Sequence, residues 1–324
     1  MKNILVTGAG GFIGSHLTEL LVGKGYNVKA FVHYNSKNHW GWLESFDYRD
    51  QIEVISGDIR DYDSVHSATK GCDSVFHLAA LIGIPYSYIS PLAYIRTNIE
   101  GTYNILQAAK ELELENILVT STSETYGTAQ YIPIDEKHPM VGQSPYSASK
   151  IGADQLAISF HKSFDLDVKI VRPFNTFGPR QSARAIIPTV ITQILKGNHV
   201  LKLGNVTPTR DLTFVKDTAK GFLSIANSNQ TTGEITNIGM SSEISVQDLV
   251  HLIGKIMNTS LEIVSEDMRI RPGKSEVERL YCNNEKIRKT TDWVPDYDLT
   301  SGLTETIQWL EKNIHHYKPE LYNV

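Results

Sequence analysis

The sequence predicts an α/β fold, a doubly wound parallel sheet with a smaller C-terminal α/β domain. Three observations carry that expectation. Short, near-continuous apolar runs alternate with helical periods as far as Val171, as in βαβ units whose strands are covered on both faces. A glycine-rich turn joins the first run to the first helical period. After Pro173 the texture shifts to loops rich in Arg, Pro and Gly (178–184, 204–210 and 269–273) between shorter elements.

The elements follow in order. Ile4–Thr7 is the first expected strand. Ile13, Leu17, Leu20 and Leu21 then fall on one helical face at i, i+4, i+7 and i+8. Further strands are expected at Val28–Val32, Ile52–Ile55, Val75–Leu78, Ile117–Thr120 and Val168–Val171, the last stopped by Pro173, with a helix over Thr97–Leu112. In the second half, Val246, Leu249, Val250, Ile253, Ile256 and Met257 make one apolar stripe behind Ser245 as N-cap. Leu303, Ile307 and Leu310 mark a helix over Thr300–Asn313.

Composition narrows the function. The chain has 324 residues, 41% of them hydrophobic, so it can bury a large core. A net charge of −5 offers no basic footprint for nucleic acid or an anionic membrane. Two cysteines without paired spacing give neither a disulfide framework nor a thiolate metal site, and the 11 histidines show no ligand spacing, so no metal is expected. The first apolar run is too short for a signal segment, and no run approaches about 20 apolar residues, so the expected location is the cytoplasm.

The turn Thr7–Gly14 reads TGAGGFIG. Gly8 suits the tight turn, Gly11 the approach of backbone N–H groups to a diphosphate, and Gly14 close helix–strand packing. Phe12 and Ile13 open the helix whose N-terminus would face the anion. This is a Rossmann-type dinucleotide site, expected within residues 1–172 plus a return segment near 213–240. Residues 173–212 and 241–324 form the expected substrate domain. The second strand ends in Val32 rather than a carboxylate, with His33, Asn35, Ser36 and Lys37 beyond it, which favours NADP and leaves NAD acceptable. Asp58 and Ile59 follow the third strand near the expected adenine.

Tyr146 and Lys150 stand at i, i+4, where a shared helical face would let an ammonium lower the phenol pKa. They lie downstream of a strand ending in Thr122, Ser123 and Glu124.

Together these residues resemble the extended short-chain dehydrogenase/reductase family, in its nucleotide-sugar epimerase/dehydratase branch. The resemblance runs through HLAA at His77–Ala80, Asn98 with Gly101-Thr102, TSETYG at Thr122–Gly127 and YSASK at Tyr146–Lys150. It continues through RPFNTFGPR (Arg172–Arg180), RDLTFVKD (Arg210–Asp217) and RPG (Arg271–Gly273). It implies that Leu78, Ala79, Ala80 and Asn98 join the cofactor site. It also implies that Thr122 binds the sugar O4, Tyr146 removes its proton, and Lys150 holds the nicotinamide ribose. Asn175, Arg180, Arg184, Arg210 and Arg271 would meet the nucleotide diphosphate, and the chain would form a homodimer.

Within the branch, 4,6-dehydratases carry Thr-Asp-Glu where this chain has Thr122-Ser123-Glu124. A 4-epimerase needs no base at C5, so Glu124 favours dehydration. The SETYGTAQYIPIDE and QSPYSASKIGAD segments are similar to bacterial dehydratases of NDP-N-acetylglucosamine in pathways to legionaminic and pseudaminic acids. The leading expectation is therefore UDP-N-acetylglucosamine dehydration, to a 4-keto-6-deoxy or 5,6-ene sugar. A 4-epimerase is the first rival, and a cofactor-binding regulator without catalysis the second.

Overall fold

The computed structural model describes residues 1–266, 269 and 272–318. The N-terminal half runs β1 (Asn3–Thr7), α1 (Phe12–Gly23), β2 (Asn27–His33), β3 (Ile52–Gly57), α2 (Tyr62–Thr69), β4 (Ser74–His77), α3 (Ile84–Ile89) and α4 (Pro91–Tyr94). It continues with α5 (Gly101–Glu111), β5 (Asn116–Thr120), α6 (Pro145–Phe164) and β6 (Val168–Pro173). Beyond these come β7 (Asn175–Phe177), α7 (Ile186–Leu195), β8 (Val200–Leu203), β9 (Thr209–Arg210), β10 (Leu212–Phe214) and α8 (Val215–Ala226). The chain then forms β11 (Ile235–Ile238), β12 (Ile244–Ser245), α9 (Val246–Ile256), β13 (Glu262–Ser265), β14 (Arg279–Leu280), α10 (Glu285–Thr290) and α11 (Leu299–Asn313).

Seven parallel strands form the main sheet in the order β11-β6-β5-β4-β1-β2-β3. Its apolar runs are continuous because both faces are covered. In β1, Ile4 and Val6 join the cluster under α1 and α8, while Leu5 joins the opposite cluster under α2, α5 and α6.

Three details depart from the sequence reading. Pro173 does not stop the strand before it but is its last residue, paired with Ile238. The seventh strand of this sheet, β11, lies outside the strands expected from the sequence; only four residues long, it is defined by its pairing with β6. The expected helix over 97–112 enters through a π turn, Ile95–Glu100, before becoming α5. Ser245 caps α9 as expected, its hydroxyl accepting from the Asp248 N–H at 3.0 Å.

The C-terminal elements gather around a third core containing Phe177, Leu201, Leu249, Ile253, Leu303 and Leu310. They add three small sheets, β10-β7, β12-β9-β14 and β13-β8. No helix among the described residues is long and apolar enough to cross a membrane.

One buried ion pair fixes α6 to the sheet. Tyr146, Lys150 and Asp154 are four residues apart and share a face of α6. Asp154 accepts from Arg172 of β6 at 2.7 Å, both side chains being fully buried. It also accepts from the Ser121 hydroxyl at 2.6 Å, and Arg172 Nε donates to that hydroxyl at 3.1 Å. The guanidinium stacks over Tyr126 at 4.5 Å. Removing one partner strands a buried charge. Asp154→Ala should therefore cost about 3–5 kcal/mol in denaturant unfolding. A loss under about 1 kcal/mol would show that the pair does not hold the helix.

Candidate active site

A cleft of about 950 Å³ runs along the carboxyl ends of the strands, from the glycine turn to the C-terminal elements. In open parallel sheets, ligands bind at this edge.

At one end, α1 begins at Gly11 with no side-chain cap and no acidic residue in its first turn, leaving its N–H groups for an anion. Gly8 has φ +70°, and a Cβ on Gly14 would lie 2.2 Å from the Gly8 carbonyl oxygen. Only glycine permits that contact between turn and helix. Gly8, Gly11, Phe12, Ile13, Gly14, His33, Asn35, Leu78, Ala79 and Ala80 all line the cleft. The Thr7 hydroxyl holds the far wall, accepting from Leu78 and Ala79 N–H groups at 3.1 Å each. Its own proton then goes to His77 Nδ1, 2.8 Å away. Burial drives His77 down to a pKa of about 3, so it stays neutral.

Thr122, Ser123, Glu124, Tyr146 and Lys150 converge on the middle of the cleft. Thr122 ends the loop after β5 and caps a short 3-10 turn, Ser123–Tyr126, by accepting from the Glu124 N–H at 3.3 Å. The helix α6 starts with a capping box of Ser144 and Ser147 and with Pro145 at its first turn. That start delivers Tyr146 at its head and Lys150 one turn later. Lys150 Nζ donates to the Thr120 carbonyl at 2.5 Å, and burial lowers its pKa to about 8.

The phenol behaves differently from the sequence expectation. Burial raises the Tyr146 pKa, and the hydrogen bond from Thr122 opposes that rise, while Glu124 adds to it. Burial is the largest of these influences, so the phenol stands above its ordinary pKa.

At the far end, Asn175, Arg184 and Arg210 line the cleft with Phe174, Thr176, Gln181, Asn205 and Glu276. Arg210 makes an ion pair with Glu276 at 3.3 Å. Its neighbour Asp211 turns inward, accepting from the N–H groups of Met240, Ser242 and Cys282, and so ties three loops beneath the cleft.

Several expected site residues stand elsewhere. Arg180 is spent on α1, bidentate to Glu19 at 2.8 and 3.0 Å. Asp58 is not among the residues that line the cleft; it is chelated by Arg60, which pulls its pKa down to about 2. Ile59 is buried, its carbonyl accepting from Asn104. Ser36 and Lys37 lie off the cleft, on a loop that Asn35 closes by hydrogen bonds to residues 33, 37 and 39. Asn98 is buried behind the wall. It clamps Leu81 through both its amide atoms and donates to Ser149, so it supports the site without lining it. Arg271 lies outside the described residues.

Sequence reasoning missed Trp40 and Gly41, which line the cleft from above the glycine turn. The signal was a glycine between two tryptophans, Trp40-Gly41-Trp42, past the second strand.

The family model for GDP-mannose 4,6-dehydratase matches residues 5–306. The chain belongs to that family of nucleotide-sugar enzymes. A dTDP-glucose 4,6-dehydratase from Streptomyces antibioticus is 30% identical, over 98% of this chain and 95% of its own. A dTDP-glucose 4,6-dehydratase from Streptomyces venezuelae, solved with NAD bound, superposes with a TM-score of 0.88 at 28% identity, over 98% and 99% of the two chains. A UDP-N-acetylglucosamine 4-epimerase from Methanobrevibacter ruminantium, in complex with UDP-N-acetylmuramic acid, gives 0.86 at 29% identity, over 96% and 99%. The family thus spans dehydration and epimerisation on one scaffold, and the side chains after β5 must tell them apart.

Proposed function

We propose that this enzyme dehydrates a nucleotide-linked N-acetylhexosamine, UDP-N-acetylglucosamine, across C5–C6. The observation that carries the reading is Glu124, a carboxylate lining the same cleft as Thr122, Tyr146 and Lys150. A bound nicotinamide cofactor supplies a hydride acceptor for C4 and later returns the hydride. The glycine turn, the α1 N-terminus and the Leu78–Ala80 wall fit its diphosphate and adenosine half.

The chain's own groups do the rest. Tyr146 takes the O4 proton as C4 is oxidised, with Thr122 orienting the hydroxyl and Lys150 providing nearby positive charge. Burial holds the phenol above its ordinary pKa, so Tyr146 acts as base in its phenolate form, which the hydrogen bond from Thr122 favours. Once C4 is a ketone, C5–H is acidic and Glu124 removes it. The C6 hydroxyl leaves as water. Ser123 is buried beside Glu124 and is no proton donor at neutral pH, so the protonated Glu124 gives its proton to the leaving oxygen. Hydride delivered to C6, with a solvent proton to C5, would give the 4-keto-6-deoxy sugar; hydride delivered to C4, with the Tyr146 proton back to O4, would give the 5,6-ene. Such a product fits the start of legionaminic or pseudaminic acid synthesis in the cytoplasm.

The cofactor reading rests on Val32 and His33. With no carboxylate there, a 2′-phosphate meets no repulsion, and neither Ser36 nor Lys37 lines the cleft. NADP and NAD should therefore both bind, with affinities within about tenfold of each other, about 1.4 kcal/mol. Titration of the protein with each cofactor checks this, and a preference for either beyond a hundredfold would contradict it. A homodimer is supported by exposed apolar groups on the α3–α6 side, Ile89, Leu92, Ile95, Tyr103 and Phe164, and light scattering should read two chains.

Glu124→Gln keeps the side chain's size and removes its basicity. The variant should still transfer hydride reversibly at C4, seen as reduced cofactor, while elimination falls by about 10²–10⁴. Dehydration at the parent rate would assign the C5 proton to another group.

A further inference from the structure

We propose that the loop over the glycine turn is a strap for the bound dinucleotide, latched shut by the aromatic end of the chain. The strap is residues 35–46. It sits directly on the diphosphate turn: Trp42 N–H donates to the Gly10 carbonyl at 3.0 Å. A Cβ on Gly10 would lie 2.2 Å from the Trp40 carbonyl oxygen, and one on Gly41 2.3 Å from the Gly10 carbonyl oxygen. The two backbones are therefore in contact along the rim of the cleft, which Trp40 and Gly41 line.

Three contacts fix this loop. Asn35 closes its base, taking hydrogen bonds from Lys37 and His39 and giving them to His33 and His39. Leu43 and Phe46 root it in the core beside α1. Between them, Trp42 packs edge-on against Trp309 of α11 at 5.3 Å and against His316 at 5.2 Å. Trp309 in turn meets Tyr317 edge-on at 6.3 Å. The Tyr317 hydroxyl donates to the Gln181 carbonyl at 2.8 Å, and Gln181 lines the substrate end of the same cleft. The C-terminal helix thus spans from the strap over one ligand to the loop beside the other.

An enzyme that takes a hydride and gives it back within one turnover gains from keeping its dinucleotide between turnovers. Trp42, Trp309 and Tyr317 are positioning residues for that retention and touch no reacting atom. This inference rests on the reading of the glycine turn as a dinucleotide site.

The test compares the parent with Trp42→Ala, Trp309→Ala and Trp309→Phe, loaded with NAD. Each edge-on aromatic contact is modest, so losing the Trp42 contacts should speed NAD dissociation about tenfold. Turnover at saturating NAD should stay near the parent value, and Trp309→Phe should restore slow release. Unchanged dissociation from folded Trp42→Ala overturns the latch, and so does an equal loss of turnover at saturating NAD. Should the alanine variants fail to fold, hydrogen exchange on the parent decides. Residues 35–46 and 309–317 should gain protection together when NAD binds, and protection confined to the glycine turn overturns the proposal. A parent that binds no dinucleotide would instead overturn the reading of the site itself.

Discussion

The ion pair between Asp154 and Arg172 is the constraint on which the site's geometry depends. It lies wholly inside the protein, where two charges are tolerated only if each finds the other and its hydrogen bonds. Because Tyr146, Lys150 and Asp154 share one face of α6, fixing Asp154 to β6 fixes the height and rotation of the two side chains above it. Ser121 bridges the pair, and the next residues are Thr122, Ser123 and Glu124. One buried cluster therefore sets α6 and the loop after β5 in register. A hydrophobic pair of similar volume could match it in stability, but not in this three-way alignment.

A second network does the same for the cofactor wall. Thr7, His77, Thr102 and Asn98 pass hydrogen bonds from β1 through β4 to the π turn before α5, and Asn98 reaches Ser149 on α6. His77 is neutral and buried, so the chain has a fixed direction of donation. The glycine turn and α6 are thus tied together behind the wall of the cleft.

Much of this was legible in the sequence because the backbone demands are local. A parallel strand covered on both faces needs an unbroken apolar run, and a turn against a helix start needs glycine at Gly8 and Gly14. The i, i+4 spacing put Tyr146 and Lys150 on one face. The pairing of charged and polar side chains was not legible. Arg180 looked free for phosphate, yet Glu19, 161 residues earlier, claims it. Asp58 looked available to a base, yet Arg60 turns back on it two residues later. Asn98 carried a motif's signature, but its amide is consumed behind the wall. The raised pKa of Tyr146 also failed to follow from spacing, because burial is its largest cause.

The central claim is that this scaffold, which also serves 4-epimerases, here breaks the C5–H bond. Turnover of UDP-N-acetylglucosamine by the parent enzyme in deuterated water, followed by NMR of the product, tests it most directly. The product should lack the C6 hydroxyl, with deuterium at C5 or the C5 hydrogen lost altogether. Inversion at C4 with the C5 hydrogen fully retained would contradict it and make the enzyme an epimerase.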